Sequence, residues 1–360
     1  MVYMKRALEL SREALGISSP NPPVGAVVVK DGRIVGEGHT LPPGQAHAEV
    51  IALSQAGELA RGATLYTTLE PCCHFGKTPP CTRNIIQVGI AQIHMAIIDP
   101  NPLVNGKGMA ELESAGLDVY LDERGEEAKE VAEAYIKFVT TGLPFVVAKF
   151  AMSLDGKIAA SSGDSKWISS EEARCYSMEL RQRNDAIIVG IGTVLNDDPR
   201  LTARDGDGNP REKQPLRIVV DSSARVPMSA QLFQEPGPLM VATAHAMKDK
   251  TEALSAAGAQ VMSLAAEDGS VDLSALLKAL GEQEISSLLV EGGGALLGSF
   301  FDFGLVDKVV AFISPAILGG KGSPSPVAGI GAVTMADCIR LKRTRVDLIG
   351  EDVMMTGYVR

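Results

Sequence analysis

His47-Ala48-Glu49 and, further along, Glu70-Pro71-Cys72-Cys73-His74-Phe75-Gly76-Lys77-Thr78-Pro79-Pro80-Cys81 are the stretches that decide what kind of domain opens this chain. One imidazole and two thiolates are the donors with which a catalytic zinc site holds its metal, leaving the fourth position for water. Bound zinc lowers the pKa of that water to about 7. A carboxylate that is not a ligand must then take the proton and pass it to a departing amine, and Glu49, at the start of a helical pattern just past His47, is placed to do so. The expected site is His47, Cys72 and Cys81 around zinc, with Glu49 as the acid–base group. The commoner spacing, Pro-Cys-x-x-Cys, would put the second thiolate at position 75, where this chain has Phe75. Cys81 replaces it only if Gly76-Lys77-Thr78-Pro79-Pro80 folds back on the metal. Cys73, adjacent to Cys72, is badly directed for the same ion. His74 reads as a fourth metal ligand, a substrate contact or an ordinary loop histidine, the last two about equally.

Outward from this motif, residues 3–15 place Met4, Ala7, Leu8 and Leu15 at helical spacing, and Gly16 with Pro20-Asn21-Pro22-Pro23 ends the helix. Residues 24–29 and 34–38 form a hairpin around Lys30-Asp31-Gly32-Arg33. A helix over 47–59, a strand over 64–68, a helix from Thr82 and a strand over 93–97 complete a sheet layered with helices. A last helix spans 131–142. Gly142-Leu143-Pro144 then separates a domain of residues 1–143 from one of residues 144–360. In the second, strands at 145–151, 186–190, 216–221, 239–243, 285–290 and 308–313 are interleaved with helices at 170–183, 271–281 and 294–303, again α/β. Asp205-Gly206-Asp207-Gly208-Asn209-Pro210 reads as an exposed excursion.

Composition narrows the function classes. A length of 360 residues suits two domains, and 45% apolar residues can fill both cores. Apolar runs are strand-sized, so no membrane segment is expected, and the N-terminus lacks the core of a secretory signal. The expected compartment is the cytoplasm. Three of the five cysteines fall between positions 72 and 81, which favours metal over a disulfide framework. A net charge of −10 without a basic stripe argues against a nucleic-acid substrate. Cys175 and Cys338 read as packing residues, and His94 and His245 as ordinary strand-edge or surface histidines.

In the second domain, the strand ending at Val290 runs into Glu291-Gly292-Gly293-Gly294 and a helix, so that backbone N–H groups can approach a phosphate. The spacing is not the dinucleotide fingerprint, and a plain tight turn fits the glycines equally well. Gly190-Ile191-Gly192-Thr193 repeats the arrangement after another strand.

The zinc motif and Pro20-Asn21-Pro22-Pro23-Val24-Gly25 resemble the bifunctional deaminase–reductase family of riboflavin biosynthesis, whose distinguishing mark is the long loop ending Thr-Pro-Pro-Cys. The resemblance continues through Ala148–Lys157, Ser165-Lys166-Trp167-Ile168, Gly192–Pro199 and Glu291–Gly294. It implies a cytidine-deaminase-like three-layer domain followed by a dihydrofolate-reductase-like α/β domain. It further implies zinc-dependent hydrolysis of a ring amine on a phosphoribosylamino-pyrimidine, then NADPH-dependent reduction of the ribosyl to a ribityl chain. By the same resemblance Asn21 and His74, with Lys77 beside them, face the deaminase substrate. Ala151, Trp167, Thr193, Asp197, Ser222 and the Gly293–Ser299 turn, Gly293 and Gly294 foremost, meet NADPH. Ser165, Arg181, Leu201, Arg204 and Glu291 hold the reductase substrate, the arginines suiting its phosphate. Lys149 and Asp197 are its candidate proton donors. The family often has a histidine where this chain has Thr40, which leaves His39 without an assigned role, and it implies a homo-oligomer.

Overall fold

A computed structural model describes residues 2–76, 79–121, 124–164 and 168–359. They divide into two compact units, Met1–Leu143 and Pro144–Arg360. The expected site residues Lys77, Ser165 and Trp167 lie outside the described residues.

The first unit runs α1 (Val2–Glu13), β1 (Gly25–Lys30), β2 (Arg33–His39), α2 (Ala48–Ala56), β3 (Thr64–Thr67), α3 (Cys81–Val88), β4 (Gln92–Met95), α4 (Lys107–Ser114), β5 (Asp118–Leu121), α5 (Gly125–Val131) and α6 (Glu133–Thr141). The strands lie in the order β2-β1-β3-β4-β5. β1 is antiparallel to both neighbours, whereas β3, β4 and β5 are parallel. β1 is apolar from Ala26 to Val29 and buried there, as a strand covered on both faces must be. The helix expected over 131–142 is α6, and α5, together with α4 and β5, is additional to the sequence reading.

Two glycines set the depth of α2. A Cβ at Gly36 would strike the Ala52 carbonyl oxygen, and one at Gly38 would sit 2.5 Å from that of Ala48. The helix backbone therefore rests directly on β2, and the position of its first turn is fixed by main-chain contact. Ala48, Ala52 and Leu53 seal the contact on its inner face.

The second unit comprises β6 (Phe145–Ser153), α7 (Glu171–Arg183), β7 (Ala186–Gly190), α8 (Ile191–Asp197), β8 (Leu216–Val220), β9 (Leu239–Thr243), α9 (Lys248–Ala256), β10 (Gln260–Ser263), α10 (Leu273–Glu282), β11 (Ser287–Val290), α11 (Gly294–Asp302), β12 (Lys308–Ser314), β13 (Lys342–Ile349) and β14 (Asp352–Tyr358). The sheet order is β10-β9-β8-β7-β11-β6-β12-β14-β13. The strands from β10 to β12 are parallel, and β14 and β13 close the sheet antiparallel. In the middle, Leu289 faces Val147 on one side and Ile187 on the other. Parallel strands bring their C-terminal ends to one edge, so the turns after β7 and β11 become neighbours. Cys175 is exposed on α7, which corrects its reading as a packing residue, and Cys338 is half-buried. Among the described residues no helix is long and apolar enough to cross a membrane.

Candidate functional site

His47 caps the N-terminus of α2, Cys72 follows β3, and Cys81 is the first residue of α3. Cys72 and Cys81 both come to His47. His47 Nδ1 lies 3.6 Å from Cys72 Sγ and 3.3 Å from Cys81 Sγ, and the three donor atoms are all within 4.8 Å of one another. Tetrahedral zinc at ordinary bond lengths separates an imidazole nitrogen from a thiolate by about 3.6 Å, so this donor set fits the ion. Cys73 turns away, its sulfur 4.0 Å from the Leu103 carbonyl oxygen. Among the described residues no fourth ligand completes the group.

Contacts among the three donors shift their proton affinities. A hydrogen bond from Cys81 and another with His47 lower the Cys72 thiol to about 4, while the bond to Cys72 and burial push Cys81 up. The contact with Cys72 raises His47 in turn. Glu49, in the first turn of α2, is 4% exposed, and burial raises its carboxyl. Its Oε2 lies 3.6 Å from Cys81 Sγ, so a proton-accepting group sits against the metal donors without being one of them.

A second pair of acids props this site, and the spacing of the sequence does not single them out. Glu70, just ahead of Pro71-Cys72, accepts backbone N–H groups from Asp99 (3.1 Å), Gly106 (2.9 Å) and Met109 (3.0 Å). Asp99 accepts the Tyr135 hydroxyl at 3.0 and 3.1 Å and the Asn101 N–H at 2.9 Å. Burial raises Asp99 to about 6, against the pull of those donors. The one available signal is Asp99-Pro100-Asn101-Pro102, a proline-rich loop at a strand end like Pro20-Asn21-Pro22-Pro23.

Asn21 lies half-buried in the loop before β1, its N–H bonded to the Ser18 carbonyl. His74 is half-buried, and its Nδ1 meets no hydrogen-bond partner. His39 sits 3.7 Å from Glu13, and the Thr40 hydroxyl accepts the Val24 N–H at 3.2 Å.

In the second unit a cavity of about 430 Å³ opens at the ends of β6, β7 and β11. Ala151, Thr193, Asp197, Glu291, Gly293 and Gly294 line it together with Lys149, Asn196 and Pro326. The Gly293 N–H donates to Thr193 Oγ1 at 3.1 Å, tying the two glycine turns to each other. A Cβ at Gly292 would come within 2.8 Å of Leu296, and one at Gly294 within 2.6 Å of the Ser325 carbonyl oxygen. Side chains there would collide with Leu296 and Ser325, so the turn packs as bare backbone at the cavity wall, where exposed N–H groups suit a phosphate-linked cofactor.

Buried charge lies beneath the cavity. Arg181 Nε and Nη2 donate to the two carboxylate oxygens of Glu291 at 2.9 and 2.8 Å, and Nη1 donates to the Thr202 carbonyl at 3.2 Å. Burial opposes ionisation of Glu291, but Arg181 and Lys149 outweigh it and hold the carboxyl at about 2. Burial lowers the Lys149 ammonium. The Arg181 guanidinium is thus committed to Glu291, and Arg204 is engaged with Glu235, at 2.8 Å. Leu201, 2% exposed, holds a left-handed backbone with φ 56°. Ser222 follows β8 and is not among the residues lining the cavity.

Residues 144–355 match the RibD C-terminal domain, and residues 1–97 match the cytidine and deoxycytidylate deaminase zinc-binding region. The riboflavin biosynthesis protein RibD of Aquifex aeolicus is 44% identical over 354 residues, covering 98% of this chain and 96% of the relative. That of Bacillus amyloliquefaciens is 43% identical over 99% of this chain and 95% of its own. The solved structure of Acinetobacter baumannii RibD superposes with a TM-score of 0.88 at 35% identity, covering 99% of this chain and 98% of that one. A Thermotoga maritima structure, described as a diaminohydroxyphosphoribosylaminopyrimidine deaminase and 5-amino-6-(5-phosphoribosylamino)uracil reductase, gives 0.86 at 36% identity, covering 99% and 97%. A three-donor metal group at paired helix ends and a glycine-walled cavity, in a chain alike from end to end, lead to one conclusion: it belongs to the RibD family of bifunctional riboflavin-biosynthesis enzymes, a zinc-binding deaminase region followed by a reductase region that uses NADPH.

Proposed function

We propose that residues 1–143 deaminate 2,5-diamino-6-(5-phosphoribosylamino)pyrimidin-4(3H)-one to 5-amino-6-(5-phosphoribosylamino)uracil, and that residues 144–360 reduce the ribosyl group of that product to ribityl. The observation that carries the reading is Glu49, buried and 3.6 Å from Cys81 beside the His47–Cys72–Cys81 group. Those three residues would hold zinc, which when bound supplies a water acidic enough to be activated at neutral pH. Glu49 takes up a proton at its carboxylate and delivers it to the departing amine, a transfer that its raised carboxyl favours. Asn21, His74 and Lys77 orient the pyrimidine.

In the second unit NADPH, when bound, supplies the reducing equivalent. Ala151, Trp167, Thr193, Asp197, Ser222, Gly293 and Gly294 bind it, and Ser165, Arg181, Leu201, Arg204 and Glu291 hold the substrate. Because Arg181 is paired, its part is to fix Glu291 in its ionised form. Lys149, its ammonium made more acidic by burial, stands nearest to a proton donor at the cavity wall.

The enzyme acts on a small phosphorylated molecule in the cytoplasm, with neither nucleic acid nor membrane as partner, a reading supported by the charge of −10. Self-association is supported by the edge strand β13, where Val346 and Leu348 are 63% and 76% exposed. The test supplies metal-loaded protein with the diaminopyrimidine and follows ammonia release and NADPH oxidation together, with and without a chelator. Both signals are expected, and silence in both contradicts the proposal.

A further inference from the structure

We propose that Thr202 is a positioning residue of the reductase site: its hydroxyl fixes the Arg204 guanidinium, so that the phosphate of the phosphoribosyl substrate meets N–H groups already in place. The inference rests on the reductase reading above, in which Arg204 holds that substrate, and names the residue that acts through it.

Asn196 and Asp197, at the end of α8, line the cavity, and residues 198–204 continue from them. Leu201 and Thr202 are buried in this segment, Thr202 completely. Two guanidiniums converge on Thr202. Its carbonyl oxygen accepts Arg181 Nη1 at 3.2 Å, and its Oγ1 accepts Arg204 Nε at 3.0 Å. Arg181 in turn holds Glu291 in the cavity wall. One residue therefore sets two arginines relative to each other, the first through its backbone and the second through its side chain.

Arg204 keeps binding capacity in this arrangement. Its Nε donates to Thr202, its Nη1 to the Gly208 carbonyl at 2.7 Å and its Nη2 to Glu235 at 2.8 Å. A guanidinium carries five N–H groups, so these bonds leave one on each terminal nitrogen for a ligand. Glu235 also meets Arg200 at 3.2 Å, so one carboxylate is shared by two cations and the group keeps a positive excess on a chain of net charge −10. Such a guanidinium suits a phosphate monoester through charge-assisted hydrogen bonds.

The frame around Arg204 is held independently of Thr202. Arg217 on β8, 1% exposed, donates to the carbonyl oxygens of Leu232 (2.7 Å), Gly237 (2.8 Å), Glu235 (3.1 Å) and Arg200 (3.5 Å). The Gln231 N–H donates to Asp198 at 2.9 Å, and its side chain donates to the Asp198 carbonyl at 3.0 Å. Glu235 thus has a fixed place, and the Thr202 hydroxyl is an acceptor that can be removed with no change of charge and no backbone bond lost. Without it Nε loses its anchor, and phosphate binding must bear the cost of ordering a long side chain.

Steady-state NADPH oxidation by the full chain, with 5-amino-6-(5-phosphoribosylamino)uracil and with its dephosphorylated counterpart 5-amino-6-ribosylaminouracil, tests this. Wild type is expected to prefer the phosphorylated compound. Thr202→Val should raise KM for that compound about three- to tenfold, with kcat and the KM for NADPH held and the dephosphorylated compound unaffected. Thr202→Ser should restore the wild-type KM. Arg204→Ala should raise KM at least as much, and adding Thr202→Val to it should change nothing further, because the hydroxyl acts only through Arg204. Thr202→Ala removes the same hydroxyl with less bulk and should reproduce the split if valine is not accommodated, circular dichroism reporting the fold. An unchanged KM, an equal loss on both compounds, no rescue by serine, an additive double variant or loss of the fold in both single variants overturns the proposal, while NADPH oxidation by wild type still upholds the reductase reading. A wild-type chain that reduces neither compound overturns that reading, and the proposal with it.

Discussion

Arg181 and Glu291 meet fork to fork, two nitrogens on two oxygens at 2.9 and 2.8 Å, with the side chains 15% and 8% exposed. A buried pair of this kind adds little net stability, but removing one partner strands the other in a medium that solvates charge poorly. Arg181→Ala should therefore destabilise the second unit by about 3–5 kcal/mol in chemical denaturation. A loss below about 1 kcal/mol would show that water reaches Glu291 freely.

The same pair gives an acid limb to stability. Glu291 is held at about 2, below the roughly 4.3 of an unfolded glutamate, so its contribution is complete above that value. It is lost as pH falls from about 4.3 towards 2. Denaturation midpoints of the wild type and of Glu291→Gln should converge across that window.

Asp99 works in the opposite direction. Burial raises it to about 6, above the roughly 3.9 of an unfolded aspartate, so the folded first unit binds an extra proton between those values. Its stabilising effect is full below about 3.9 and disappears as pH rises through about 6. Asp99→Asn should flatten that part of the pH–stability curve. An unchanged slope would mean that Tyr135 and Asn101 compensate the burial fully.

Asp155 ties down the segment that leads into the wall of the reductase cavity. Its carboxylate accepts the Ser153 hydroxyl at 2.6 Å and the N–H groups of Leu318 and Gly319 at 3.0 and 2.7 Å, a few residues ahead of Pro324 and Pro326 in the cavity wall. Asp155→Ala should raise KM for NADPH by about 3- to 10-fold through loss of these bonds, with ammonia release unaffected. Equal KM values would show that the bonds from Ile158 N–H to the Pro324 carbonyl and from Ala328 N–H to the Gly294 carbonyl suffice to hold the segment.

How much of this was legible beforehand follows from where the information lies. Ala186-Ile187-Ile188-Val189-Gly190 is strand at its expected bounds, because an uninterrupted apolar run between turn residues has few other fates. β13 escapes notice because Lys342-Arg343-Thr344-Arg345 opens an edge strand with charge, and α4 because it starts at Lys107-Gly108, poor material for a helix. His47, Cys72 and Cys81 declare themselves by residue type and spacing. Glu70 and Asp99 do not, since what distinguishes a buried acid from a solvated one is packing by α4, α6 and the loop after β4. Likewise the pairing of Arg181 with Glu291, from a strand end 110 positions away, is not written in the local sequence of either residue.

Cys81 carries the metal account. Cys81→Ser should strip most of the zinc and abolish ammonia release, and Cys73 should not rescue it, because its sulfur points to Leu103. Metal analysis with the ammonia assay checks both. Retained zinc would place the third ligand elsewhere.

The most direct test concerns Glu49. Glu49→Ala, which leaves His47, Cys72 and Cys81 in place, should retain zinc yet lower ammonia release by at least about 100-fold, while added 5-amino-6-(5-phosphoribosylamino)uracil is still reduced with NADPH at the wild-type rate. Ammonia release at the wild-type rate would remove Glu49 from proton transfer and contradict the deaminase account at its centre.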